Sequence, residues 1–221
     1  MDKQFRELCD SSLIWLPEHG FGFYPVREAD EPYRSEAGGA AYFAKYEGYA
    51  DSERGEALTK FRVRFVSRHL KGIGLPLVDI GIGSGQFLNA WSGQATGYDI
   101  NPAGKAWLHR AGRWCDWRLC LNGGLPAITC WDVLEHLPDP HALLAKVGGW
   151  VFTSLPIFTG PEHVLQSKHY RKDEHRHYFT CDGLVAWMKG YGFTCVEVSD
   201  GETDLGREDV LSFAFRRERA A

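Results

Sequence analysis

Apolar positions along the chain change period several times, and each change marks an element. Leu58, Phe61, Phe65, Val66, His69 and Leu70 recur at helical spacing, and Gly72 follows as a stop signal. Pro76-Leu77-Val78-Asp79-Ile80 predicts a short buried strand, followed by a tight turn, Gly81-Ile82-Gly83-Ser84-Gly85, and a short helix from Gln86 to Trp91. Ala95-Thr96-Gly97-Tyr98-Asp99-Ile100 predicts a second strand. Asn101 is a good N-cap and Pro102 a good first helical residue, with Gly112 closing that helix. A third strand is expected near Trp114–Leu119, a fourth at Ala127–Val133 and a fifth at Trp150–Ser154, with a brief helix from Asp139-Pro140 to Val147. Thr180 caps a helix carrying Leu184, Val185, Trp187 and Met188. Phe193–Val198 and Asp209–Phe215 close the chain as an antiparallel pair of strands. Strands that alternate with helices predict an α/β fold, with a mainly parallel sheet covered on both faces.

Two stretches show no period. Residues 1–50 are rich in aromatic residues, Gly and Pro and read as an irregular cap, which divides the chain into a cap at 1–54 and a main domain at 55–221. Residues 158–179 read as a long loop. Loops of that length are often functional, and a closing lid excludes water, so both stretches are expected to flank a ligand site.

Composition narrows the class. A chain of 221 residues that is 44% hydrophobic suits one domain with a full core and excludes a mainly disordered chain. No apolar run reaches the length of a membrane span, and the first residues, Met1-Asp2-Lys3-Gln4-Phe5, carry no apolar leader region, so a cytoplasmic location is expected. The net charge of −4 disfavours a protein whose affinity comes from coating duplex phosphates. The six cysteines form no CxxC pair and are expected to be reduced, mostly buried thiols.

The first chemical signal is the strand–glycine loop–helix unit. Glycines let the backbone turn sharply and approach a ligand, which then meets the free N–H groups of a helix start. Asp99, at the tip of the second strand, can accept both hydroxyls of a ribose. A dinucleotide fingerprint wants a third glycine at position 86, where Gln86 stands.

The motifs resemble those of class I S-adenosylmethionine (SAM)-dependent methyltransferases. Val78-Asp79-Ile80-Gly81-Ile82-Gly83-Ser84-Gly85-Gln86-Phe87 is similar to their first motif, Tyr98-Asp99 to their ribose-binding acidic position, and Cys130-Trp131-Asp132-Val133-Leu134-Glu135-His136-Leu137-Pro138 to their fourth motif. Phe152–Pro156 and His177-Tyr178-Phe179-Thr180 complete the likeness, which covers about residues 55–216 and lies nearest the ubiquinone-biosynthesis O-methyltransferases. It implies a Rossmann-like sheet of seven strands in the order 3-2-1-4-5-7-6. It also implies SAM as cofactor, held by Gly81, Gly83, Gly85, Asp79 and Asp99, with Asp116 at the adenine, Trp131 lining the pocket and Arg62 on the cofactor carboxylate.

Methyl transfer is an in-line displacement, so the chain's task is to hold the acceptor close to the sulfonium methyl. An oxygen acceptor also needs a base or a cation. His136, His175 and His177 are the candidate bases; His136 lies just past the fourth strand, at the carboxyl end of the sheet where open α/β folds bind ligands. Asp132, Glu135 and His136 stand at i, i+3 and i+4, which resembles the metal-binding Glu-x-x-Glu-His pattern of small-RNA 3′-end methyltransferases. His177 or His175 would close that divalent site from the loop. The basic run Lys168–His177 favours an acceptor with a phosphate or carboxylate. The fourth motif lacks the Asn/Asp-Pro-Pro-aromatic tetrapeptide of DNA-base amino methyltransferases, so DNA is not expected as acceptor. A small-molecule acceptor leads, an RNA end or modified nucleotide is second, and a catalytically silent SAM-fold binding protein is third.

Overall fold

The computed structural model describes residues 13–24, 32–70, 74–171 and 174–218. Gly72, the expected helix stop, and Lys172 and Asp173 of the basic run lie outside the described residues.

Two sheets carry the chain. The smaller has three antiparallel strands, β1 (Ile14–Leu16), β2 (Phe21–Phe23) and β7 (His177–Phe179), in that order. The larger is built from β3 (Leu77–Ile80), β4 (Ala95–Tyr98), β5 (Leu125–Trp131), β6 (Val147–Pro156), β8 (Phe193–Ser199) and β9 (Val210–Arg217), in the order β4-β3-β5-β6-β9-β8. The first four run parallel, while β9 is antiparallel to both of its neighbours. Central strands are buried on both faces, which is why β3 is buried at every position, Asp79 included. The edge strand β8 alternates buried and open positions, as one wet face requires.

Helix Glu53–Leu70 explains the helical spacing found in the sequence. Its Phe65, Val66 and Leu70 pack on Leu77, Phe87, Ala127, Phe152 and Ala214. Asn101 caps the helix Pro102–Arg110 by accepting from the Ala103 amide at 2.9 Å, and Thr180 caps Cys181–Gly190 by accepting from Gly183 at 3.0 Å.

Three expectations change. The third strand is reduced to a single parallel bridge between Gly97 and Trp114, so the described sheet has six strands. Asp116 explains this: its carboxylate accepts from the amide and guanidinium of Arg118 and winds the chain into the turn Trp117–Leu119. The cap is not irregular throughout, because Glu36–Ala50 is a continuous helix started by Ser35, which accepts from the Gly38 amide at 3.1 Å. The segment after Phe158 contains the short helix Pro161–Gln166 and then β7, which pairs with β2. Of the cysteines described, Cys130 is buried and Cys115, Cys120, Cys181 and Cys195 are half-buried; all are free thiols. No helix among the described residues is long and apolar enough to cross a membrane.

Candidate functional site

The glycine loop and Asp99 come off the same end of the sheet. Ile80 pairs with Tyr98 in register, and the Gly81 amide donates to the Tyr98 carbonyl at 2.8 Å, so the loop and Asp99 leave the strands side by side. Gly81, Gly83 and Gly85 have φ of 73°, 58° and 80°. A side chain at Gly85 would also collide with Trp107, whose ring lies 2.8 Å from the place of the missing Cβ. Asp99 accepts from the Asn101 amide at 2.8 Å. Burial pushes its carboxyl up to about 6, although amides of Asn101, Ile82, Ile100 and Gly83 pull the other way. Asp79 lies inside the sheet, pushed up to about 7 by burial and held by the Thr129 hydroxyl, which donates at 2.6 Å.

A second cluster forms at the end of β5. Glu135, His136 and His175 bring their ligating atoms within 4.8 Å of one another. The two imidazoles meet edge to face with centroids 4.6 Å apart. Neither oxygen of the buried Glu135 carboxylate has a hydrogen-bond partner, and burial, with Asp132 nearby, raises its carboxyl well above the usual range. Burial and the neighbouring His136 lower His175 to about 2, so it is neutral near pH 7. His136 donates from Nδ1 to the Glu174 carbonyl at 3.1 Å, since a carbonyl only accepts.

Other candidates stand elsewhere. Asp132 adopts φ of 57° just past β5 and gives its carboxylate to Arg62 at 3.2 Å and Arg207 at 2.7 Å. Burial alone would raise its pKa, but the two guanidiniums hold it well below the usual carboxylate range. Asp132 therefore stands outside the cluster, and of the two loop histidines expected to close it, His175 is the one that joins Glu135 and His136. His177 is also absent from the cluster: its Nε2 donates to the Leu137 carbonyl at 2.9 Å, and its ring stacks on Phe21. The pairing of β7 with β2 draws it to that side.

Arg62, expected at the cofactor carboxylate, is buried in an internal network. Its Nε lies 2.8 Å from Glu202, and the same guanidinium reaches Ser154. Trp131 lies in the core against Phe87, under the Arg62 guanidinium at 4.8 Å. Asp116 is engaged by Arg118 at 2.6 Å.

Glu202 and Arg207 escaped the sequence reading. Glu202 is fully buried and binds both Arg62 and Arg207. Nothing in the motif signals this, because a buried carboxylate and a solvated one are spelled alike. Tyr42 and Tyr46 were also missed, although their i, i+4 spacing puts them on one helix face.

Residues 50–198 match a family described as a methyltransferase domain. The chain is 31% identical over 138 residues to a ubiquinone biosynthesis O-methyltransferase of Chromobacterium violaceum, covering 49% of this chain and 60% of that one. It is 28% identical over 171 residues to the enzyme of that name from Stutzerimonas stutzeri, covering 64% and 74%. Among solved structures, a Burkholderia thailandensis 1,6-didemethyltoxoflavin-N1-methyltransferase, with its acceptor and S-adenosylhomocysteine (SAH) bound, shares the fold at a TM-score of 0.60 and 16% identity. That match covers 94% of this chain and 100% of the other. The fold and the glycine loop are those of a Rossmann-like protein of the class I methyltransferase type. The chain belongs to the methyltransferase-domain family.

Proposed function

We propose that the protein transfers the methyl group of SAM to a small-molecule acceptor held at the Glu135–His136–His175 cluster. The observation that carries this reading is the buried Glu135 carboxylate, whose oxygens have no partner, facing two imidazoles at the same end of the sheet as the glycine loop. In this reading residues 1–54 serve as the cap and 55–221 as the cofactor-binding domain. Gly81, Gly83 and Gly85 admit the methionine and ribose portion, and Asp99 accepts the ribose hydroxyls.

The cluster fits a divalent cation. One carboxylate and two imidazoles suit Mn²⁺, Fe²⁺ or Zn²⁺ better than Mg²⁺. A bound cation would supply Lewis acidity, lowering the pKa of an acceptor hydroxyl. The chain's own residues do the rest. Glu135, His136 and His175 would hold the cation, and the Nδ1 bond to Glu174 puts the His136 lone pair on Nε2, where it would either ligate that cation or, with no cation bound, take the acceptor proton. The small-molecule likenesses support this acceptor class.

A phosphate- or carboxylate-bearing acceptor is a narrower reading, supported by the basic loop. Two of that loop's cations are already paired, Lys168 with Glu208 at 2.9 Å and Arg171 with Glu174 at 3.2 Å, which lowers the field an anion would meet. The test is a methyl-transfer assay with labelled SAM against a metabolite extract and, separately, total RNA. Label appearing only in small molecules supports the reading, and label only in RNA overturns it.

A further inference from the structure

We propose that the ring of Tyr46 closes over the sulfonium end of the cofactor and makes the site prefer charged SAM to its neutral product, SAH. The inference rests on reading the glycine loop as the SAM site.

The placement follows from how helix Glu36–Ala50 is pinned. Gly39, in its first turn, lies against Asn101, two residues beyond Asp99. The Asn101 Nδ2 donates to the Gly39 carbonyl at 3.0 Å. A Cβ at Gly39 would stand 2.5 Å from the Asn101 Oδ1, so only glycine allows this approach. Positions 42 and 46 follow at i+3 and i+7, on the face that carries Gly39. The face that starts beside Asp99 therefore continues about 10 Å along the helix axis, at 1.5 Å per residue. It ends at the glycine loop: the Tyr46 Cδ1 is 3.8 Å from the place where Gly83 lacks a Cβ. The helix thus roofs the cleft between the ribose-binding carboxylate and the loop that takes the methionine half.

Tyr46 does not stand alone. Its hydroxyl lies 3.1 Å from that of Tyr42, and the two rings are 4.8 Å apart. Tyr42 packs in turn on Tyr33, 5.0 Å away. Burial, then Tyr46, Tyr33 and Glu174, suppress the acidity of Tyr42, which keeps it a protonated phenol. An aromatic face at this position meets the part of the ligand that carries the positive charge of SAM. Aromatic rings attract such onium groups, and the attraction vanishes in the thioether product.

Calorimetry with SAM and with SAH tests this on the native chain and on Tyr46→Leu and Tyr46→Phe. Tyr46→Leu should weaken SAM about tenfold and SAH about two- to threefold, while Tyr46→Phe keeps the preference. Equal loss for both ligands, or no loss for SAM, overturns the proposal. A native chain that binds neither ligand removes the reading of the glycine loop itself. As a second measurement on the native chain, amide exchange across Glu36–Ala50 should slow more with SAM than with SAH. Exchange that responds equally to the two ligands also overturns it, whether or not the Leu variant folds.

Discussion

His136 donates its Nδ1 proton to the carbonyl oxygen of Glu174 at 3.1 Å, and this bond fixes the tautomer of the imidazole. Holding the proton on Nδ1 directs the Nε2 lone pair to an acceptor proton or a cation.

The first prediction concerns a metal at the cluster. Mn²⁺ titration should show one site whose affinity falls at least about tenfold in Glu135→Gln and in His175→Ala. Asp132→Asn should leave that affinity nearly unchanged, because Arg62 and Arg207 already take up its carboxylate. Turnover that persists in excess chelator, with no gain from Mn²⁺, would leave His136 as the base with no metal involved.

Asp99 gives a pH dependence. Its pKa is raised from the ordinary 3.8 to about 6, so the ionised form that accepts ribose hydroxyls is lost as pH falls through 6. SAH affinity should drop about tenfold per unit below that point. The native state binds this proton more tightly than the unfolded chain, so Asp99 costs stability as pH rises from about 4 to about 6. Calorimetry in a pH series checks the binding arm. A flat profile between pH 7 and 5 would show that the ribose does not depend on Asp99.

Removing Glu202 should damage the fold. Glu202→Ala leaves the buried Arg62 and the half-buried Arg207 guanidiniums with Asp132 as their remaining carboxylate, a loss of about 3–5 kcal/mol. Denaturant unfolding measures it. A change within experimental scatter would mean that water replaces the carboxylate.

Gly39→Ala should loosen the helical roof. Its Cβ meets the Asn101 Oδ1 at 2.5 Å and the Tyr33 carbonyl at 2.9 Å, and relieving such overpacking costs about 1–3 kcal/mol. SAM affinity should fall together with stability. Unchanged affinity would show that the helix can shift without disturbing the cleft.

The parallel core was legible in the sequence because each of its signals is local. The Asn101 and Thr180 caps and the Asp79–Gly85 turn state their geometry within a few residues. The same holds for part of the candidate site, since Glu135 and His136 are neighbours in the motif. What failed was long-range. Arg62 and Asp132 looked like ligand-binding groups until Glu202 and Arg207, contributed by the chain between β8 and β9, engaged them. His175 and His177 differ by two residues, and only the pairing of β7 with β2 sends one to the cluster and the other towards Phe21. The helix Glu36–Ala50 was hidden because its Gly-, Ala- and Tyr-rich sequence lacks a strong apolar stripe.

The small sheet carries a consequence for the order of assembly. β2 finds its second partner only in His177–Phe179, more than 150 residues later. On a ribosome, the β1–β2 hairpin must wait until most of the chain has emerged before that seam can close. The parallel core around β3, β4 and β5 can form earlier, from segments much closer together. Synthesis would thus finish the cofactor half first and join the histidine-bearing half to the amino-terminal hairpin last. Arrested chains ending before residue 177 should hold the first half without the second.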